Sequence, residues 1–194
     1  GEKEMKNVYM ILVASILVFA LSFNFLGAAA GDENSKAKEN VAKYVALSDL
    51  VTKTNEVSKE VAIHKVVTKK LASVKTAEEK QDAVSELVAM TLATVADKSA
   101  EEVASIAKAM TEAIMGTTND LRQQIKYACA IVSTIHVVIT DSAGNVNDAV
   151  LEAVKSVMDE DVLKFTDDAE KSPVISIGIY QAQFCKEIYD AVRT

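Results

Sequence analysis

Apolar residues recur at intervals of three and four along most of this chain, the spacing that lines one face of an α-helix. Val84, Leu87, Val88, Leu92 and Val95 form one such stripe, with Thr91 on the same face. Val103, Ile106, Ala107, Met110 and Ile114 form a second, and Leu121, Ile125, Ala128, Cys129, Val132, Ile135 and Ile139 a third. The pattern predicts helices over 35–74, 77–96, 100–115, 119–140, 146–158 and 173–192, the first open to a break near Thr54 and Asn55. Residues 131–140 are nearly all apolar and rich in β-branched side chains, which also suits a short strand. They are read as helix because they continue the stripe that begins at Leu121.

Helix starts carry a recurring device, a side-chain oxygen that caps free backbone N–H groups and an acid three residues later that returns a bond. Thr76 with Glu79 and Ser99 with Glu102 fit this capping box, and Asn145 with Asp148 is a looser version. Thr118 or Asn119 suits the start before Leu121, and Ser172 precedes Pro173, a residue well tolerated in a first helical turn. Gly116 and Gly144 stand where helices would end. Short connections favour antiparallel neighbours. The expected fold is therefore all-α, either an antiparallel helical bundle or a short irregular array of α-hairpins, with about six helices after an N-terminal signal or anchor helix. The capping boxes lie 23 residues apart, but later starts abandon that period, so no regular solenoid is indicated.

The N-terminal pattern is of another kind. Lys6 precedes an apolar run over residues 8–26, and Ala28, Ala29 and Ala30 follow before the polar Gly31, Asp32 and Glu33. A basic residue, an apolar stretch and an Ala-x-Ala exit read as a secretory signal peptide cut after Ala30. The competing reading is an uncleaved anchor over residues 8–26, since about 20 apolar residues in a helix cross a bilayer core of about 30 Å. Ser15, Ser22 and Asn24 inside the run weigh against it. Residues 1–4, ahead of Met5, read as non-native or as an overextended start. The expected domains are thus a signal or anchor over 1–30 and a single helical domain over 31–194, placed outside the cytoplasm, periplasmic or secreted.

Composition supports the helical class: one proline, six glycines and no tryptophan in 194 residues. The net charge of −7 is unevenly spread, with ten lysines against eight acids over 31–80 and nine basic against eighteen acidic residues over 81–194. An acidic body repels a phosphate backbone, which argues against nucleic acid as a partner. Lys59, Lys65, Lys69, Lys70 and Lys75 nevertheless make the end of the first helical region basic, a candidate contact face for anionic lipid or for the acidic half of another copy.

Candidate chemistry is sparse. Cys129 and Cys185 are a disulfide candidate in an oxidising compartment, and closing so long a loop would stabilise the fold by about 4 kcal/mol on the chain-entropy estimate. The alternative is two separate buried thiols. His64 follows Leu50 and Val57 at intervals of seven and His136 follows Cys129 by seven, so both histidines are expected to face inward. Cys129 and His136 would lie about 10 Å apart along one helix, too far to share one ion. The acid clusters at residues 159–161 and 167–170 lack the ligand order of an EF-hand and read as solvated loops and helix-start acids. No Gly-x-Ser-x-Gly elbow, metal-ligand spacing or haem motif occurs, so neither catalysis nor a cofactor is expected. Tyr180, Phe184, Ile188 and Tyr189 gather aromatic and apolar bulk in the last helix, read as core.

These features imply a non-enzymatic protein that works by contact with an unidentified protein partner or with itself. It would touch a membrane only through its N-terminal segment, if that is retained. The competing implication is a carrier for an apolar small molecule, its cavity lined by Met90, Met110, Ile114, Val132 and Phe184.

Overall fold

The three apolar stripes fold as helices in the computed structural model, which describes residues 56–139 and 148–193, all within one compact unit, Lys43–Thr194. In chain order these residues form α1 (Glu56–Ser73), α2 (Ala77–Thr94), α3 (Ala100–Met115), α4 (Leu121–Val138) and α5 (Asp148–Lys155). Four further helices follow: α6 (Glu160–Leu163), α7 (Thr166–Lys171), α8 (Pro173–Ile177) and α9 (Ile179–Arg193). The fold is all-α, and no strand occurs among the described residues. The N-terminal run at 8–26, the break near Thr54 and Asn55, and Gly144 and Asn145 lie outside them.

Both capping boxes form. Thr76 Oγ1 accepts from Glu79 N at 3.1 Å while Glu79 Oε2 accepts from Thr76 N at 3.0 Å, and Ser99 Oγ accepts from Glu102 N at 3.3 Å with Glu102 Oε2 returning to Ser99 N. The backbone N–H groups of Thr76 and Lys75 hold the Glu79 carboxyl below its ordinary range. The start of α4 differs from expectation. Its N-cap is Asp120, whose carboxylate accepts from Arg122 N at 3.2 Å, while Thr118 Oγ1 accepts from Asp120 N one step outside the helix.

Two helices form the centre. In α4, residues 127–135 are buried on every side apart from the partly exposed Cys129, and Val138 is buried beyond them. A single stripe would leave a solvent face, so α4 has neighbours all around: α2, α6, α7, α8 and α9 pack against it, with α3 and α5 touching it more lightly. This wrapping decides the reading of 131–140 in favour of helix up to Val138. Helix α2 is nearly as enclosed, from Ala83 to Ala93, and lies between α4 and α9. Ala83, Ala89, Ala128 and Ala130 are buried among the larger Leu87, Leu92, Ile131 and Ile135, and small residues at such contacts let helix axes approach closely. Helix α1 and α5 both pack on α3. Glu86, with Thr91 one of two partly exposed positions on the enclosed stretch of α2, is met by Lys70 of α1 at 2.7 Å.

The C-terminal third departs most from the sequence reading. Residues 160–171 form two short helices where no helix was expected, yet their acids are helix-start acids as read: Glu160 and Asp161 in the first turn of α6 and Asp167 and Asp168 in that of α7, with Val162, Thr166 and Ala169 turned into the core. Lys155 of α5 pairs with Glu170 of α7. The helix expected over 173–192 is split at Gly178, whose φ of 80° and ψ of 151° lie in a region open to glycine. Pro173 opens α8, Gly178 closes it, and α9 then runs along α2.

Candidate functional site

The chain turns at Gly178 with apolar side chains pointing out. Ile175 is 81% exposed, Ile179 59%, Tyr180 57% and Val174 41%. No residue from 172 to 185 carries a charge, in a sequence that is 25% charged. The inner side of the same stretch holds it to the body. Gln181 is buried and its Nε2 donates to Asp82 O at 3.4 Å across the α2–α9 contact, and Ala182 and Cys185 are buried beside it. Tyr180 and Phe184, one turn apart, stack with ring centroids 6.3 Å apart and planes 5° from parallel. The last helix therefore divides its bulky residues, with Ile188 and Tyr189 in the core, Phe184 half-buried and Tyr180 outside. Tyr189 also lies beneath the cationic groups of Lys186 and Arg193, 5.2 and 5.3 Å from its ring centroid.

The candidate Cys129–Cys185 bridge does not form; both thiols are free, the alternative reading. Cys129 Sγ donates to Phe165 O at 3.6 Å, on the side of α4 facing the α6–α7 turn. Cys185 instead meets the Thr134 hydroxyl and, at 3.9 Å, Gln181 Nε2. Thr134 is five residues from Cys129, about 140° around the helix at 100° per residue, so the two sulfurs sit on different faces of α4. Burial pushes the Cys185 thiol up to about 12, and burial followed by the Asp168 charge raises that of Cys129. Raised thiols are poor nucleophiles.

One histidine diverges from expectation. The core face of α1 is Ile63, Val67 and Leu71, which leaves His64 exposed one position round. His136 is half-buried, its pKa lowered by burial and then by the charge of Lys155. No group of three or more His, Cys, Asp or Glu side chains among the described residues is arranged to hold a metal ion. The basic residues of the first region differ in their settings. Lys65, Lys69 and Lys75 are exposed, but Lys70 turns inward to Glu86. The Lys59 side chain lies outside the described ones. No helix among the described residues is long and apolar enough to cross a membrane.

Two cavities differ in character. An apolar one between α1, α2 and α3 has a volume of about 30 Å³ and is lined by Ile63, Val67, Leu87, Met90, Ile106 and Met110 among others. Of the residues expected to line a carrier cavity it brings together Met90 and Met110, while Ile114 and Val132 pack in the solid core and Phe184 stacks on Tyr180. The second, a cleft of about 330 Å³, opens where α1, the start of α2, the end of α3 and α4 meet. His64, Thr68, Leu71 and Ala72 of α1 line one wall at helical spacing, and Ala113, Gly116, Thr117 and Thr118 another, with Lys80 and Tyr127 completing it. Burial raises the Tyr127 pKa, and a hydrogen bond with Thr117 opposes that rise.

Sequence reasoning missed this cleft because Thr118 read as a helix-cap candidate and His64 as a core residue, while Thr117 drew no notice. The available signal was the row 64, 68, 71 and 72, which shares one side of a helix without being an apolar stripe. No protein family, curated protein or solved structure matches the chain.

Proposed function

We propose that this is a non-catalytic helical protein, delivered outside the cytoplasm, that works by protein contact as an envelope scaffold, adaptor or chaperone-like factor. The observation that carries the reading is the corner at Gly178. Among the described residues seven large apolar side chains are exposed, and four of them, Val174, Ile175, Ile179 and Tyr180, cluster along one uncharged segment. Clustered exposed apolar residues of this kind mark contact surfaces, and aromatic and aliphatic anchors supply much of the energy when partners bury them. The rigid attachment of the corner, through Gln181, Ala182 and Cys185, means a partner meets a preformed shape. An apolar carrier is less well supported, since about 30 Å³ has room for little more than a water or two.

A photoreactive amino acid placed at Ile175 or Ile179 tests the contact in cells of the native host. The expected result is one discrete cross-linked protein, a partner or a second copy, that vanishes when the probe is moved to Lys108 and weakens with Ile179→Ser. Equal labelling at all three positions would remove the basis for the proposal, as would turnover of a substrate that is lost on replacing His64 or His136.

A further inference from the structure

The polar cleft has a composition opposite to that of the molecule around it. The chain carries a net charge of −7, yet the residues lining the cleft include Lys80 and His64 and no aspartate or glutamate. At about 330 Å³ it is roughly ten times the volume of the apolar cavity, and it reaches the lower end of the range for small-molecule sites.

Lys80 can only donate, and the threonine hydroxyls and the imidazole of the lining can donate as well as accept, with no acidic side chain among them. The Thr117 hydroxyl gives its proton to Ile114 O at 2.7 Å and lies beside the Tyr127 phenol, so it is already engaged before anything binds. Thr118 Oγ1 accepts from Asp120 N at 3.1 Å and keeps its proton to donate. The side chains of Lys80, His64 and Thr68 have no hydrogen bond or ion pair among the described residues. Four donors or proton carriers thus face a space in which no carboxylate answers them. The backbone behind Thr117 and Thr118 is already committed, its N–H groups bonded to Ile114 O and Met115 O, so the turn is held before anything binds.

We propose that this cleft binds a small metabolite through an oxyanion, a carboxylate or phosphate group, with the Lys80 ammonium as the principal charge and the Thr68, Thr118 and His64 side chains as hydrogen-bonding partners. Charge-assisted bonds of this type are stronger than neutral ones, and preorganised donors lower the cost of association. Leu71 and Ala113 give the cleft an apolar floor against which a short carbon skeleton lies. The site is independent of the corner at Gly178, so the two proposals stand or fall separately.

Titrating the full chain with inorganic phosphate and with succinate, followed by NMR at the His64 ring and the Thr117 and Thr118 amides and by calorimetry, tests it. The expected result is saturable movement of all three residues with one dissociation constant, tighter for the probe whose oxyanion matches the natural ligand. Lys80→Gln should weaken that binding about tenfold and His64→Gln by less, both with unchanged circular dichroism, while Lys108→Gln leaves it intact. Absence of saturation with either probe would overturn the proposal. So would an equal loss in Lys108→Gln, which would mark diffuse attraction rather than a site.

Discussion

Helix α4 and the stretch around Gly178 are both rich in isoleucine and valine, yet they use these residues in opposite ways. In α4, Ile131, Val132 and Ile135 are fully buried because helices close on every side. Around Gly178, Ile175 and Ile179 face solvent, although α8 packs on α4 and α9 on α2. Apolar content alone does not decide burial; the number of neighbours an element has does. A short helix resting on one side of the body must leave its other side outward whatever residues it carries.

The sharpest way to break this comparison is to cut the same residue type in both regions. Ile131→Ala should destabilise by about 2–5 kcal/mol in urea unfolding, because the surroundings cannot collapse into the space left. A value no larger than that of a surface substitution would mean that α4 is not enclosed. Next in size is the bend. Gly178→Ala meets nothing within 4 Å, so its expected cost of about 1–3 kcal/mol comes from placing an L-residue at φ of 80°. A melting temperature equal to that of the unaltered chain would show that α8 and α9 can join without the special conformation.

Cys185 supplies a pH-dependent test on the inner face of the same segment. Its folded value of about 12 lies above the ordinary thiol value of 9.0, so unfolding releases a proton between them. Stability from this group is whole below about 9 and is lost as pH rises towards about 12, by at most about 1.4 kcal/mol per unit. Urea midpoints taken on either side of about pH 9 should therefore fall more steeply with pH in the unaltered chain than in Cys185→Ala; equal slopes would contradict the burial of this thiol. The smallest expected effect is that of Ile175→Ser, within about 0.5 kcal/mol of the unaltered chain because its side chain is already in water. A loss as large as that of Ile131→Ala would place Ile175 in the core and erase the contrast.

The parts of this fold that were legible in sequence are those fixed locally. Thr76 with Glu79 and Ser99 with Glu102 satisfy backbone groups within one turn, so their meaning does not depend on the rest of the molecule. The stripes from Val84 and Leu121 likewise announced their helices. What was illegible depends on partners distant in sequence. Cys129 and Cys185 both lie near apolar stripes, but which face of α4 each meets is settled by where α7 and α9 dock. His64 seemed to share a seven-residue rhythm, whereas the contact face of α1 is set by Ile63, Val67 and Leu71. Gly178 lies between Ile177 and Ile179 in an apolar stretch that reads as one helix, and its being glycine was the one local sign that the backbone could leave the helix there. The polar cleft is assembled from four separate helices, so no short window of sequence contains it.

The contact between α2 and α9 joins residues such as Asp82 and Gln181, which are 99 positions apart. Until α9 has returned, α2 lacks a wall along which Val84, Ala89 and their neighbours are covered. The chain thus has a late checkpoint. Contacts over such long loops close slowly, and a product that stops before α9 presents its central helix to chaperones and proteases as unfinished. Return of α9 onto α2, rather than the early appearance of capped helices, is the step that closes this side of the core.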